Sequence, residues 1–203
     1  MPALAATPLI VWLIPSFSEL ATQISVAVEN ARLYQETEQL AVTDGLTGIN
    51  NHRYFQSFFE RELNRAKRYK HPLALIMLDI DHFKQINDKF GHPVGDLVLK
   101  TVTEILKQQA REVDLVARYG GEEFMLVLPE TGKKEAVMLA ERIRLAVKKY
   151  ALTDSQNKQL PNITVSLGVS SYPENGSEKE ELIDYVDKCL YKAKAGGRDL
   201  VKH

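Results

Sequence analysis

Two short acidic segments carry the residue types that could hold a divalent cation. Asp79-Ile80-Asp81 directly follows an apolar run, and Gly120-Gly121-Glu122-Glu123 follows a second one. Carboxylates at alternate positions share one face of a strand if the strand continues through them. Crowded carboxylates repel each other unless a cation is present, and hard oxygen ligands suit Mg²⁺, which also binds substrate phosphates. Metal ions held there could activate a hydroxyl and stabilise a leaving oxygen in one displacement, so the pattern predicts a metal site.

Either segment alone is a weak indication of a metal site. Acidic residues at strand ends are often only solvated, and Gly-Gly is usually only a turn. The prediction depends on both segments lying on neighbouring strands of one sheet.

Hydrophobic periodicity predicts elements that would place the two segments together. It indicates helices around residues 54–69, 98–106, 136–147 and 182–191, and strands at 73–78, 115–119, 124–128 and 163–169. After the first helix the order is βαββαβ with a closing helix, the plan of a ferredoxin-like α/β (α+β) domain with a mostly antiparallel central sheet flanked by helices. The first and third strands of that repeat are neighbours, so the hairpin tip would bring Glu122 or Glu123 close to Asp79.

Composition limits the classes of partner. The 203 residues carry 26 basic and 27 acidic side chains, for a formal net charge of −1. A global basic field for nucleic acid is therefore not expected, and a nucleotide must be held by local groups. The single cysteine, Cys189, allows no disulfide framework within the chain and favours a cytoplasmic location.

A series of ordered motifs between residues 42 and 203 resembles the GGDEF family of diguanylate cyclases in its common Glu-Glu form. The motifs are Asp44-Gly45-Leu46-Thr47, Asp79-Ile80-Asp81-His82-Phe83-Lys84, Asn87, Phe90-Gly91-His92, Gly95-Asp96, Gly120-Gly121-Glu122-Glu123-Phe124 and Ala193-Lys194-Ala195-Gly196-Gly197-Arg198. The resemblance implies a palm-type version of the predicted fold. It also implies an enzyme that condenses two GTP molecules to cyclic di-GMP and pyrophosphate.

The resemblance assigns roles to individual residues. Asp79, the backbone carbonyl of Ile80 and Glu122 would hold Mg²⁺, with Mn²⁺ as an alternative ion. Glu122 would also take the proton from the attacking ribose 3′-hydroxyl, and Glu123 would add charge or ligate a second metal. The remaining assignments are Lys84, Lys194 and Arg198 to the triphosphate, Asn87, His92 and Asp96 to guanine recognition, and Gly120 and Gly121 to close approach of the backbone to the phosphates. Asp96 has a structural alternative as the N-cap of the helix that follows Gly95.

A second site is implied by Arg111-Glu112-Val113-Asp114, in the family's register with Gly120 for an inhibitory RxxD site. There Arg111 and Asp114 would bind the cyclic di-GMP product, with Arg142 in support. The alternative is an ordinary surface ion pair between a helix end and a strand start.

Residues 1–41 are expected to be a truncated sensory-domain remnant and a linker helix, ahead of a cyclase domain at 42–203. The helix, predicted over Phe17–Ala41, has Leu20, Ala27, Tyr34 and Ala41 at steps of seven. This spacing fits a two-stranded coiled coil or a single helix packed on its own domain. Residues 28–34 resemble the final helix of a GAF sensory domain. The apolar run at 9–14 is too short to span a membrane.

One such domain would hold one GTP, so a symmetric product requires two facing protomers and implies a homodimer. Two other functions stay open. The chain could be a non-catalytic receptor for cyclic di-GMP or GTP, although the presence of Asp79, Lys84, Asp96 and Glu122 disfavours this reading. It could instead make an adenine-containing cyclic nucleotide, which Asp96 disfavours.

Overall fold

A six-stranded sheet forms the centre of the fold. The computed structural model describes residues 21–30, 32, 42–153, 160 and 162–203. The strands are β1 (Asn50–Asn51), β2 (Leu73–Ile80), β3 (Leu115–Arg118), β4 (Glu123–Pro129), β5 (Val165–Tyr172) and β6 (Val201–Lys202). Their order in the sheet is β1-β3-β4-β2-β5-β6. The four longer strands pair antiparallel, while β1 and β6 add parallel edges. The predicted fold class and the pairing of the first and third long strands are confirmed.

In the described part of residues 42–203 the helices are α1 (His52–Tyr69), α2 (Phe83–Phe90), α3 (His92–Gln109), α4 (Lys133–Lys149) and α5 (Lys179–Ala195). Four of them correspond to predicted helices. The short helix α2 was not predicted, although Phe83, Ile86 and Phe90 recur at helical spacing and pack on the core; it is only 8 residues long. α3 begins earlier than predicted, with Pro93 in its first turn, where the missing N–H of proline costs nothing.

Strand β2 is buried on both faces, which explains its unbroken apolar sequence. Ala74, Ile76 and Leu78 contribute to the core that α3 and α4 cover. Leu75 and Met77 contribute to the core that α1 and α5 cover. Asp79 continues this second set, so its side chain emerges at the end of the face covered by α1 and α5.

Residues 1–41 and residues 42–203 are two separate compact units. Within the first unit, residues 21–30 and 32 are helical, and every one of them is exposed. The apolar run at 9–14 and most of the predicted Phe17–Ala41 helix, including Leu20, Tyr34 and Ala41, lie outside the described residues. In the described part of the chain, no helix is both long enough and apolar enough to cross a membrane.

Candidate active site

Asp79 is a buried carboxylate at the end of β2. It pairs in register with Glu123 of β4, so the two side chains project from the same face of the sheet. Lys194 Nζ lies 2.7 Å from Asp79 Oδ2. Burial raises the pKa of Asp79, the ion pair with Lys194 opposes that shift, and the charges of Glu122 and Glu123 add to it. A carboxylate in this setting is stabilised by a cation, and the lysine of α5 provides one.

The turn between β3 and β4 holds the second acidic segment beside Asp79. The Ile80 N–H donates to the Glu122 carbonyl at 3.3 Å, and the Tyr119 N–H donates to the Glu123 carbonyl at 2.8 Å. These bonds extend the backbone pairing beyond the strands and fix the hairpin tip at the end of β2. Glu122 and Glu123 are both half-buried. The structure therefore brings together the two acidic segments that the sequence singled out.

Asp81 differs from the expectation that it shares a face with Asp79. Strand β2 ends at Ile80, so the alternation does not reach residue 81. The Asp81 carboxylate accepts hydrogen bonds from Thr164 Oγ1 at 2.8 Å, Ser166 Oγ at 2.7 Å and the Asp199 N–H at 3.0 Å. It is buried and bonded to protein donors, separate from the carboxylates around Asp79.

Arg118 and Asp44 form a contact that the sequence did not predict as part of the site. Arg118 Nη1 donates to both carboxylate oxygens of Asp44 at 3.1 Å, and Arg118 Nη2 donates to the Gly121 carbonyl at 2.8 Å. Asp44 also accepts from the Thr47 N–H at 2.9 Å. Arg118 thus fixes the backbone of the hairpin tip to the turn that opens the domain. The Asp44-Gly45-Leu46-Thr47 motif was the available signal, but it did not indicate which residue Asp44 contacts.

Lys84, Asn87, His92 and Asp96 lie on α2 and α3, which directly follow β2. Lys84, His92 and Asp96 are exposed. Asn87 Oδ1 is buried and accepts no hydrogen bond from any residue that the structure describes. The alternative that Asp96 is an N-cap is wrong, because α3 begins at His92 with Gly91 as its N-cap and Asp96 lies inside the helix.

Gly95 explains how the Asn87 side chain reaches its position. A Cβ at residue 95 would collide with Asn87 Oδ1 and lie 2.9 Å from Asn87 Cγ. Glycine therefore allows α2 and α3 to approach closely enough for the amide to pack against the backbone of α3.

Lys194 and Arg198 lie on either side of the end of α5. Lys194 is in the last turn, and the helix ends at Ala195 with Gly196 as C-cap. Arg198 follows in a turn with φ of 63° and has an exposed side chain. The two cations are therefore separated by the helix end rather than stacked on one helical face.

The donors around Asp79 suit a divalent ion that completes its coordination with other ligands. Across the described ranges 21–30, 32, 42–153, 160 and 162–203, no three His, Cys, Asp or Glu side chains are grouped so that they could hold a metal ion. Asp79, Glu122 and the Ile80 carbonyl offer two carboxylates and one backbone oxygen. Mg²⁺ accepts such a partial set, because it keeps several waters and binds substrate phosphates. The lysine at Asp79 indicates that this carboxylate favours a positively charged neighbour.

Comparison with known proteins shows the family to which the chain belongs. Residues 41–200 match the model of the diguanylate cyclase GGDEF domain. The chain belongs to the GGDEF family. This GGDEF domain is 41% identical over 163 residues to the response regulator PleD of Caulobacter vibrioides, covering 80% of this chain and 36% of PleD. It is 37% identical over 185 residues to diguanylate cyclase A of Treponema denticola, covering 90% of this chain and 48% of that protein. The chain thus spans less than half the length of these curated relatives.

Solved structures of GGDEF proteins share the fold. The coiled coil and GGDEF domain of DgcB from Caulobacter crescentus, in complex with c-di-GMP, aligns with a TM-score of 0.84 at 32% identity, covering 92% of this chain and 98% of that one. The active GGEEF domain of a diguanylate cyclase from Vibrio cholerae aligns with a TM-score of 0.70 at 36% identity, covering 75% of this chain and 95% of that one.

The GGDEF domain has a second candidate site at the RxxD motif. Arg111, Asp114 and Arg142 line one open cleft of about 690 Å³ between the start of β3 and α4. Arg111 Nη2 lies 2.6 Å from Asp114 Oδ1 and 2.7 Å from Thr131 Oγ1. Arg142 Nη2 donates to the Gln109 carbonyl at 2.8 Å. The three residues that the sequence grouped therefore line one surface. Arg111 and Asp114 also form an ion pair there, as the alternative to a product-binding site predicts.

Proposed function

We propose that this GGDEF domain condenses two GTP molecules into cyclic di-GMP and releases two pyrophosphates. The observation that carries the proposal is the pairing of Asp79 with the Glu122-Glu123 hairpin, within reach of the Lys194 ammonium. Similarity to named diguanylate cyclases supports the same reaction, since diguanylate cyclase A of Treponema denticola is among the relatives.

The reaction forms a bond from the ribose 3′-oxygen of one GTP to the α-phosphorus of the other. The bond between the α-phosphorus and its bridging oxygen breaks, and the bond electrons leave with pyrophosphate. Glu122 takes the 3′-hydroxyl proton, and Lys84, Lys194 and Arg198 stabilise the negative charge on the departing pyrophosphate. The same transfer in the opposite sense closes the ring.

A divalent ion, Mg²⁺ or Mn²⁺, would be held by Asp79, the Ile80 carbonyl and Glu122, with Glu123 close by. When bound, it would neutralise phosphate charge and lower the pKa of a coordinated hydroxyl. Gly120 and Gly121 keep the backbone beside these ligands free of side chains, which leaves room for the phosphates.

Guanine selectivity is proposed to come from Asn87 and Asp96. Asn87 Oδ1 has no protein donor among the described residues and is buried as it stands, so this half-buried side chain would have to turn for the oxygen to accept from a guanine N–H. The exposed Asp96 carboxylate on α3 could accept from the same edge of the base. Adenine lacks this pair of donors and would leave these acceptors unpaired, which is costly. His92, also exposed at the start of α3, is proposed to contact the nucleotide.

A homodimer is proposed because each domain holds one GTP and the product contains two guanosines. Ile24 and Val28, four residues apart on one face of the N-terminal helical segment, are 56% and 63% exposed in the single chain. Burying such apolar side chains against a second copy would stabilise a pair of helices. The similar DgcB structure is described as a coiled coil with a GGDEF domain. Residues 1–41 are accordingly proposed to be a sensory-domain remnant and linker helix. The single cysteine, Cys189, supports the further proposal that the protein acts in the cytoplasm.

Product inhibition is proposed at the cleft lined by Arg111, Asp114 and Arg142. Two guanidinium groups beside an open cleft can bind the phosphates or guanines of cyclic di-GMP. The related DgcB structure contains c-di-GMP.

The decisive experiment is chromatographic identification of the product after the purified chain is incubated with GTP and Mg²⁺. Cyclic di-GMP and pyrophosphate are expected from the wild type, and Glu122→Gln is expected to lose at least about a hundredfold in kcat. Glu180→Gln is the matched control, because it removes the same charge from an exposed position in the first turn of α5. Equal turnover by Glu122→Gln and Glu180→Gln would contradict the role of Glu122.

A non-catalytic receptor is the second candidate, favoured by the ion pair that Lys194 forms with Asp79. Binding of cyclic di-GMP without any pyrophosphate release by a confirmed dimer would establish that alternative. A third candidate is an enzyme that makes an adenine-containing cyclic nucleotide. Incubation with equal concentrations of ATP and GTP tests it, because an adenine-containing product would exclude strict guanine selectivity.

A further inference from the structure

The turn that follows α5 has an unusual backbone. Arg198 and Asp199 are consecutive non-glycine residues with φ of 63° and 48°, and Gly197 before them has φ of 116°. Residues with side chains rarely adopt the left-handed region, because the Cβ crowds the neighbouring carbonyl. Such strain persists where surrounding contacts enforce it, and it occurs often at sites that grip ligands.

Asp81 is the first contact that holds this turn. Its Oδ2 accepts the Asp199 N–H at 3.0 Å. Thr164 and Ser166 hold the same carboxylate from the neighbouring chain segment at 2.8 and 2.7 Å. With 4% of its surface exposed, Asp81 is a fixed acceptor rather than a mobile one.

Two cations of α4 hold the turn from the other side. Arg144 Nη1 lies 2.6 Å from Asp199 Oδ1, and Lys148 Nζ lies 2.5 Å from Asp199 Oδ2. Arg144 also donates to the Asp199 backbone carbonyl at 3.3 Å. Burial acts to raise the pKa of Asp199, but the hydrogen bonds from Lys148 and Arg144 outweigh it, so that the pKa lies below its ordinary value. The carboxylate therefore remains charged and bonded to α4 at neutral pH.

The backbone on both sides of Arg198 is fixed as well. The Arg198 N–H donates to the Ala193 carbonyl at 3.1 Å, and the Leu167 N–H of β5 donates to the Leu200 carbonyl at 2.9 Å. The Arg198 side chain is exposed. The contacts thus immobilise the main chain of the turn and leave this guanidinium directed to solvent.

We propose that Asp81 and Asp199 are positioning residues for the triphosphate of GTP. Together they hold the Gly196–Asp199 turn in the conformation that lets Arg198 and Lys194 act on one phosphate chain. The inference rests on the phosphate role of these two cations in the proposed function. It gives the second carboxylate of Asp79-Ile80-Asp81 a task separate from metal binding.

The test compares Asp81→Asn and Asp199→Asn with the wild-type chain by competition of unlabelled nucleotides against a fluorescent GTP analogue. Both variants are expected to bind GTP about tenfold more weakly, since misplaced guanidinium and ammonium groups lose charge-assisted hydrogen bonds. GMP, which lacks the two outer phosphates, should bind with unchanged affinity. In turnover assays KM for GTP should rise and kcat should fall as well, because Lys194 and Arg198 are also proposed to stabilise the departing pyrophosphate, while the Mg²⁺ dependence should change little.

Glu141→Gln is the matched control. Glu141 binds Arg144 at 2.8 Å but has no bond to the turn, so its GTP affinity should remain that of the wild type. Should Asp199→Asn fail to fold, Lys148→Met is a second variant, because the Lys148 side chain is half-exposed and pairs with Asp199. Its expected loss of GTP affinity is smaller.

Three results would overturn the positioning role. The first is an unchanged GTP affinity in both aspartate variants, with only the melting temperature lowered. The others are equal losses of affinity for GTP and GMP in the aspartate variants, and a loss of GTP affinity in Glu141→Gln as large as in those variants. The proposed function fails on a different measurement, because it requires cyclic di-GMP from the wild type whereas the positioning role is judged from nucleotide binding.

Discussion

Lys194 Nζ lies 2.7 Å from Asp79 Oδ2, so the lysine of α5 neutralises the carboxylate that is proposed to hold a metal. A divalent ion at Asp79 must compete with this ammonium. A triphosphate offers Lys194 a second anionic partner, and moving Lys194 to the phosphates would free Asp79. Metal and nucleotide should therefore favour each other's binding, with the reciprocity that linkage requires.

Replacing Lys194 with Met should make the nucleotide-free protein bind divalent ions more tightly. The variant removes the competing cation but keeps the aliphatic length of the side chain. Its dissociation constant for Mn²⁺, measured by electron paramagnetic resonance without GTP, should fall by about tenfold, the size expected for losing one close like charge. The variant should bind GTP more weakly than the wild type, because it lacks a cation for the phosphates.

Lys188→Met is the control for this comparison. Lys188 lies on the same helix and is exposed, so its removal changes the net charge equally without touching the Asp79 ion pair. Equal Mn²⁺ affinities in Lys194→Met and the wild type would show that the ion pair does not oppose metal binding.

The RxxD cleft should respond in opposite directions to two charge changes on α4. Arg142 and Glu135 both line it, and the expected ligand is an anion. Arg142→Gln should weaken binding of cyclic di-GMP by about tenfold through loss of a charge-assisted bond, and Glu135→Gln should strengthen it modestly by removing a repulsion. Calorimetric titration with cyclic di-GMP measures both. Weaker binding in both variants would indicate general damage to α4 instead of electrostatic recognition.

Much of the fold and of the site around Asp79 could be predicted because the signals are local. Strand β2 is buried on both faces and therefore reads as an unbroken apolar run that ends at Asp79. The tip of the next hairpin is marked by Gly120 and Gly121. Once the strand order is known, antiparallel pairing brings the hairpin tip to the end of β2, and the register of the two strands then places Glu123 opposite Asp79.

The contacts that could not be predicted join residues far apart in the sequence. Arg118 and Asp44 are separated by 74 positions, and Asp81 bonds to the Asp199 N–H across 118 positions. Periodicity carries no information on such pairs. The rule that Asp79 and Asp81 share a face holds only while the strand continues, and the exact strand end is set by tertiary contacts.

The ion pair between Asp44 and Arg118 should make part of the stability depend on pH. Burial acts to raise the pKa of Asp44, but the hydrogen bonds from Thr47 and Arg118 outweigh it, so the pKa lies below its ordinary value of 3.8. A lowered folded-state pKa stabilises the protein above the ordinary pKa, and the contribution is lost as the pH falls through the folded-state pKa.

Asp44→Asn should therefore reduce the free energy of unfolding by about 1 kcal/mol at neutral pH, and by less as the pH falls below the ordinary carboxyl pKa. Urea unfolding of both proteins at a series of pH values measures the difference. A difference that stays constant from neutral to acidic pH would mean that the charge of Asp44 is not what stabilises the turn.

Gly121→Ala tests whether the glycine is required for stability or for GTP turnover. A Cβ at Gly121 would meet no atom within 4 Å of the protein, and Gly121 is not among the residues with positive φ. The melting temperature should therefore stay within about 2 °C of the wild type, as for a surface change of small free energy. Turnover of GTP should nevertheless fall by about a hundredfold, because the methyl group would occupy the space proposed for the phosphates beside the carboxylates.

Thr47→Ser is a suitable comparison, since it keeps the hydroxyl that donates to Asp44 Oδ1 at 2.6 Å and changes no atom at the hairpin tip. Its turnover should match that of the wild type. If Gly121→Ala turned over GTP as fast as Thr47→Ser, the phosphates could not approach the backbone at residue 121, and the glycines would serve only to form the turn.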